Sequence, residues 1–147
     1  MSTAPSFSPR LLGQTEKALN AFLDRELAGT GLTEPQWVAL TLLSTDGDGA
    51  DRAELVDRVA GVLKVDRPRA EARIGELVEA GLIAAAGGEG SGIEATEAGK
   101  RLHRRVRAAT TAIAQRLWGD LPAEDLEAAG RVLGTVLERA DAELASA

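Results

Sequence analysis

The residues best suited to chemistry in this sequence are positively charged side chains between residues 51 and 73. The six cations of this segment are Arg52, Arg58, Lys64, Arg67, Arg69 and Arg73. Arg69 and Arg73 are four residues apart, so on a helix they share one face, where guanidinium groups could bind phosphates or the edges of guanine bases. Five carboxylates leave the same segment nearly neutral. Its cations could equally lie on solvated helix faces, paired with those anions.

Side chains for catalysis and for metal binding are scarce. The sequence has no cysteine and a single histidine, His103, which excludes disulfides, thiolate chemistry and multi-histidine metal sites. The glycine-rich run at residues 87–92 does not lead into a helix that carries a lysine, so it does not match a phosphate-binding loop. We therefore expect no metal site, no cofactor and no enzymatic activity.

The overall charge limits the kind of nucleic-acid binding that can be expected. The formal net charge is −6 over 147 residues, which argues against indiscriminate binding but is compatible with a local basic patch. No apolar run reaches the roughly 18 residues of a membrane span. Residues 1–9 lack the pattern of an export signal. We expect a cytoplasmic protein with no membrane partner.

Apolar residues at helical spacing predict four helices in the first half of the chain. They cover about residues 9–28, 33–45, 51–63 and 66–80. Thr33 can cap the second helix, with Gln36 placed to complete a capping box. Asp66 can cap the fourth, with Pro68 in its first turn, where the missing N–H costs little.

The second half begins with two short apolar runs, residues 82–86 and 93–95, on either side of the glycine-rich tip. This pattern predicts a β-hairpin, with a flexible loop as the alternative. Three helices followed by a two-stranded hairpin form a winged helix-turn-helix, and we call residues 82–95 the wing. The wing contains no lysine or arginine, only the acidic residues Glu89 and Glu94.

Two further helices complete the prediction, one from Thr96 to about Gly119 and one from Pro122 onward. Their apolar residues recur every three or four positions, which favours packing against other helices in a homodimer. Ordinary packing within one chain is the alternative. The predicted fold is mainly α with a small β-hairpin wing. Within one structural domain, residues 1–32 form an N-terminal arm and first dimerisation helix, and residues 97–147 form the long dimerisation helices. Residues 33–96 form the winged helix-turn-helix, which we call the lobe.

Several short runs, in their order along the chain, resemble those of the multiple-antibiotic-resistance-regulator (MarR) family. They are Leu32–Trp37, Val65–Pro68, Leu77–Ile83, Ala95–Leu102 and Leu121–Leu126. The resemblance covers roughly residues 10–145. It implies a dimeric transcription regulator that binds double-stranded operator DNA and responds to a small effector.

The resemblance also suggests which residues would form the sites. A DNA-binding set is expected from the fourth helix and its neighbours: Arg52, Lys64, Arg67, Pro68, Arg69 and Arg73. An effector cleft is expected where the first, second and long helices meet. Trp37 is its best-matched residue, Phe22 and Trp118 are candidates on helical phase, and His103 is a polar partner. We expect a repressor released by a small aromatic or anionic effector.

Some positions depart from the family pattern. Glu71 stands where a small polar residue usually faces the bases, although a carboxylate there could accept a hydrogen bond from cytosine N4. Ala72 and Arg73 reverse the usual basic-then-apolar order, and residues 60–64 lengthen the preceding turn. The wing lacks the arginine that enters the minor groove. The alternative function is therefore a dimer that has lost DNA binding and serves as a small-molecule binder or a recruited biosynthetic enzyme.

The densest basic run lies elsewhere, at the start of the long helix. It consists of Lys100, Arg101, Arg104, Arg105 and Arg107. These side chains could form a solvated face balanced by the abundant carboxylates. They could also form an anion-binding pocket under the wing, or a flanking contact with phosphate.

Overall fold

The fold is described from a computed structural model, which places residues 4–45, 49–87, 90 and 92–146. The first four helices are α1 (Pro9–Leu27), α2 (Glu34–Thr45), α3 (Arg52–Leu63) and α4 (Arg67–Glu79). The last two are α5 (Glu97–Trp118) and α6 (Ala123–Ser146). The strands are β1 (Ala50–Asp51), β2 (Ile83–Ala85) and β3 (Gly92–Ala95). The predicted mainly α, winged-helix fold is confirmed.

Short polar residues start the helices of the lobe: the cap at Asp66 was predicted from the sequence, and the cap at Asp51 was not. Asp66 accepts a hydrogen bond from the backbone N–H of Arg69 at 2.9 Å, and Asp51 accepts one from Glu54 at 3.2 Å. Each bond satisfies one of the N–H groups that a helix leaves unpaired at its first turn. At the start of α2, the Thr33 N–H donates to the side chain of Gln36 at 2.9 Å. This is one half of the predicted capping box.

The wing belongs to a three-stranded antiparallel sheet in the order β1-β3-β2. Ile83 pairs with Ala95 and Ala85 with Ile93, which confirms the hairpin. Strand β1 was not predicted from the sequence; its Ala50 pairs with Ile93 on the other side of β3. A strand of two residues is too short for an alternating pattern, so its formation depends on the neighbour that it meets.

The core of the lobe lies between α2, α3, α4 and the sheet. Its fully buried large side chains are Leu40, Leu43, Leu55, Val56, Val59, Ile74, Leu77 and Ile83. Ala70, Ile74 and Leu77 form the buried stripe of α4, at the spacing of four and three residues that places side chains on one face of a helix. Because this stripe faces inward, the opposite face of α4 is left to solvent.

The chain divides into two compact units, Met1–Thr111 and Ala112–Ala147. The first contains α1 to α4, the sheet and most of α5. The second contains the end of α5 and α6, and α6 has no buried residue. Within the described residues, no helix is both long enough and apolar enough to cross a membrane.

Candidate functional site

The exposed side of α4 begins with the residues predicted to contact DNA. Arg67, Pro68 and Arg69 form its first turn and are exposed, next to the Asp66 cap. Among the described residues, the guanidinium group of Arg69 has no ion pair or hydrogen bond. A helix N-terminus with an unpaired arginine is suited to bind a phosphate group.

Two other predicted arginines are held by carboxylates across the α3–α4 pair. Arg52 Nε donates to Glu71 Oε1 at 2.8 Å, and Arg67 Nη1 pairs with Asp57 Oδ1. All four side chains are about one third exposed or more. Exposed pairs of this kind are worth only about 0.2–1 kcal/mol, so a phosphate could compete for either arginine. Glu71 thus neutralises Arg52 in addition to occupying the exposed side of α4.

Arg73 lies in a different environment from Arg69. Its Nη2 donates to Glu76 Oε2 at 3.0 Å, and its Nε lies 2.9 Å from Glu76 Oε1. Glu76 also accepts a hydrogen bond from Gln36 Nε2 on α2 at 2.9 Å. Arg73 is therefore half-buried in a polar cluster that ties α4 to α2. This cluster could not be predicted from the four-residue spacing of Arg69 and Arg73, because Gln36 is 40 residues away from Glu76 in sequence.

Lys64 is placed by the end of α3. It adopts the left-handed backbone conformation, with φ of 59°, and its Nζ donates to the carbonyl oxygen of Gly61 at 2.7 Å. Its ammonium group therefore lies over the last turn of α3, where a cation interacts favourably with the helix dipole.

In the described part of the wing, the charged side chain is Glu94, on β3. The other acidic residue of the wing, Glu89, lies outside the described residues.

Of the aromatic residues predicted to bind an effector, Trp37 and His103 are brought together. Their rings stack, with centroids 5.0 Å apart and planes inclined at 21°. Trp37 is 8% exposed. Burial lowers the pKa of His103, and the guanidinium of Arg107 lowers it further. His103 Nε2 is buried with no hydrogen-bond partner among the described residues. The pair is therefore a buried indole stacked on a half-buried imidazole, in surroundings that disfavour the protonated form of the imidazole.

The other two aromatic candidates are placed differently. Phe22 lies on α1, where the guanidinium of Arg25 sits 5.5 Å from the ring centroid, a cation–π contact. Trp118 belongs to the second unit and is 40% exposed. In the part of the chain that the structure describes, Phe22 forms no aromatic ring pair with the Trp37–His103 stack.

A cavity of about 230 Å³ opens beside His103, between the end of α2, β3 and the start of α5. Its walls are formed by Leu43, Ser44, Glu94, Ala95, Lys100, His103 and Arg104. We call it the β3–α5 cavity. The basic run of α5 was the sequence signal for it, but the contributions of α2 and β3 were not predicted. No group of three or more potential metal ligands occurs in the described ranges.

The fold is shared with solved structures of MarR-family proteins. CouR from Rhodococcus jostii, solved with p-coumaroyl-CoA, is 22% identical, with a TM-score of 0.73 over 86% of this chain and 88% of its own. A MarR-family protein of Mycobacterium tuberculosis, solved in complex with DNA, is 25% identical, with a TM-score of 0.65 over 90% of this chain and 98% of its own. A MarR-family regulator of Silicibacter pomeroyi is 21% identical, with a TM-score of 0.70 over 90% and 89%. No protein-family model matches the sequence, and no curated protein does.

Proposed function

We propose that this chain, which has the winged-helix fold of the MarR-family regulators, is a homodimeric DNA-binding transcription regulator that responds to a small ligand. The observation that carries the proposal is the first turn of α4, where a capped helix N-terminus and the unpaired Arg69 face solvent. The Mycobacterium tuberculosis relative with the same fold was solved in complex with DNA. CouR was solved with a small-molecule thioester.

In this proposal the basic residues have unequal roles at the DNA. Arg69 contacts the nucleic acid directly, with Pro68 shaping the first turn of α4 and Lys64 adding charge beside it. Arg67 and Arg52 bind phosphate after leaving Asp57 and Glu71, which lowers the net gain from each contact. Arg73 acts as a positioning residue, because its bonds to Glu76 hold α4 against α2.

Homodimerisation is proposed through the apolar residues that α6 leaves exposed. They are Val132, Leu133, Val136, Leu137 and Leu144, of which Leu137 is 58% exposed. Covering a leucine side chain contributes about 1.5–3 kcal/mol, so a second copy of the chain would gain substantially by packing here. Leu137→Asp should reduce the mass measured by light scattering from two chains to one. Glu138→Gln, at an exposed neighbour, should leave the dimer intact.

The ligand-responsive part of the proposal concerns the Trp37–His103 stack. A small aromatic or anionic effector would bind near this pair, where α2 and α5 meet, and would release the DNA, as expected of a cytoplasmic repressor. The stack supports this role because His103 sits at the junction of the two helices with an unsatisfied, buried ring nitrogen.

Fluorescence anisotropy tests the DNA-binding function. The full chain is titrated onto labelled DNA from upstream of its own gene, at several salt concentrations and with unrelated DNA as competitor. About six phosphate contacts per dimer give a slope of log K against log salt near −5. Arg69→Ala removes one contact per subunit, which should make the slope less negative by roughly 2. Arg10→Ala, at an exposed position of α1, is the matched control.

One result of this titration would contradict the proposed DNA-binding function. Equal binding to upstream and unrelated DNA at every salt concentration would refute the sequence-specific regulator. It would favour the alternative of a dimer that has lost DNA binding and works as a small-molecule binder or a recruited biosynthetic enzyme. Loss of binding in Arg73→Ala alone would not assign that residue to the DNA, because the same change breaks the α4–α2 cluster.

A further inference from the structure

The β3–α5 cavity presents charges of both signs to the same space. Lys100 and Arg104 approach from one turn of α5, and Glu94 approaches from β3. Lys100 lies 3.7 Å from Glu97, a loose and exposed pair. Arg104 and Glu94 have no ion pair within the described ranges, with each other or with any other residue. The cavity therefore separates a cationic wall from an anionic wall instead of closing them into a salt bridge.

Ser44 adds to the acceptor side. Its hydroxyl donates to the carbonyl oxygen of Leu40 at 2.8 Å, so its one proton is already used. A serine oxygen with its proton committed can still accept hydrogen bonds through its lone pairs. Ser44 and Glu94 thus both offer acceptors, while Lys100 and Arg104 offer only donors. Leu43 and Ala95 supply apolar surface to the same cavity.

We propose that the β3–α5 cavity binds a small zwitterion of the amino-acid class. The ligand's carboxylate would lie against Lys100 and Arg104, and its ammonium group against Glu94 and the Ser44 oxygen. A simple anion would satisfy the cationic wall and leave Glu94 facing a like charge. A simple cation would do the reverse, so of these three classes only a molecule with both charges pairs with the cations Lys100 and Arg104 and with Glu94 at the same time.

The size of the cavity restricts the ligand. A volume of about 230 Å³ corresponds to roughly seven or eight water molecules at about 30 Å³ each. This is below the roughly 300–1,000 Å³ of sites for drug-sized ligands. An aliphatic chain of a few carbons between the two charged groups matches this volume.

A zwitterion bound between β3 and α5 would be a ligand of the ligand-responsive function proposed above, on which this proposal rests. Binding of the zwitterion is measured on the protein without DNA, so a failure to bind the zwitterion is distinguishable from a failure to bind DNA. A bound zwitterion would connect the wing to α5, because Glu94 belongs to the strand that pairs with both β1 and β2.

The test is an NMR titration of the full-length, nitrogen-15-labelled chain with three probes of nearly equal length. They are 4-aminobutyrate, which carries both charges, butanoate, which carries only the carboxylate, and butylamine, which carries only the ammonium. We expect saturable shifts of the backbone signals of Ser44, Ala95 and Lys100 with 4-aminobutyrate. The two singly charged probes should bind about tenfold more weakly or worse, which corresponds to a loss of about 1.4 kcal/mol.

Substitutions of the charged residues test which side chain binds which charged group of the ligand. Glu94→Gln should weaken 4-aminobutyrate and leave butanoate unchanged or stronger, while Arg104→Gln should weaken both. Arg101→Gln, an exposed arginine of the same helix that does not line the cavity, is the matched control and should change neither. Equal affinity for 4-aminobutyrate and butanoate, together with no effect of Glu94→Gln, would overturn the proposal in favour of a simple anion site. The absence of saturable shifts with any probe would overturn it altogether.

Discussion

Gly99 lies where the first turn of α5 meets the backbone that leads into β2. A Cβ atom at this position would overlap the carbonyl oxygen of Leu82 and lie 3.1 Å from its carbonyl carbon. The same oxygen accepts the N–H of Thr96 at 3.0 Å. Because backbone atoms cannot rotate away as a side chain can, Gly99→Ala must separate α5 from residue 82.

The size of this effect follows from three contributions. Overpacking costs about 1–3 kcal/mol, and loss of the hydrogen bond between Thr96 and Leu82 costs about 1 kcal/mol. Replacing a helical glycine by alanine returns about 1 kcal/mol. The net loss of unfolding free energy is roughly 2 kcal/mol, which at about 2–4 °C per kcal/mol for a chain of this size lowers Tm by about 4–8 °C.

Differential scanning calorimetry measures this change, with Gly75→Ala as the matched control. Gly75 lies inside α4, and a Cβ there meets nothing within 4 Å. The same substitution should therefore raise stability at Gly75 by up to about 1 kcal/mol. If Gly99→Ala were as stable as the parent while Gly75→Ala behaved as expected, the close approach of α5 to Leu82 would not constrain the fold.

Two further changes test the cap of α4 and the Trp37–His103 stack. Asp66→Ala should lower the free energy of unfolding by about 1 kcal/mol, because it removes the N-cap acceptor; urea titration measures it, and Asp66→Asn should restore most of the loss. Burial, with help from Arg107, holds the pKa of His103 below 6.5, so its contribution to stability is present above pH 6.5 and is lost as the pH falls through the folded-state value. The fluorescence of Trp37, followed in a Trp118→Phe background, should change with a midpoint below 6.5 and without that step in His103→Gln. A midpoint at or above 6.5 would mean that the ring is not buried as described.

Local signals in the sequence determined most of the secondary structure. Asp66 followed by Pro68 marked the start of α4, because capping and proline placement involve residues only two or three positions apart. The spacing of Ala70, Ile74 and Leu77 identified the buried face of α4 for the same reason, since a helix brings residues three and four apart together. Such features predict where a helix begins and which side it buries.

Contacts between distant segments were decided only by the tertiary structure. The two-residue strand β1 exists because Ala50 meets Ile93, and no periodicity can show a partner 43 positions away. Arg69 and Arg73 look equivalent on a helical projection, yet Gln36 and Glu76 hold one of them in a cluster that only packing of α2 on α4 creates.

The β3–α5 cavity shows the same division between local pattern and packing. Its cations were visible in the sequence as the basic run of α5, but the sequence could not distinguish a solvated face from a pocket. Glu94 and Ser44 lie 50 residues apart, and they face the same space only because β3 and the end of α2 both pack beside α5. The sequence therefore determined which charges this chain carries, whereas folding determined which of them face one another, because that depends on long-range packing and not on local spacing.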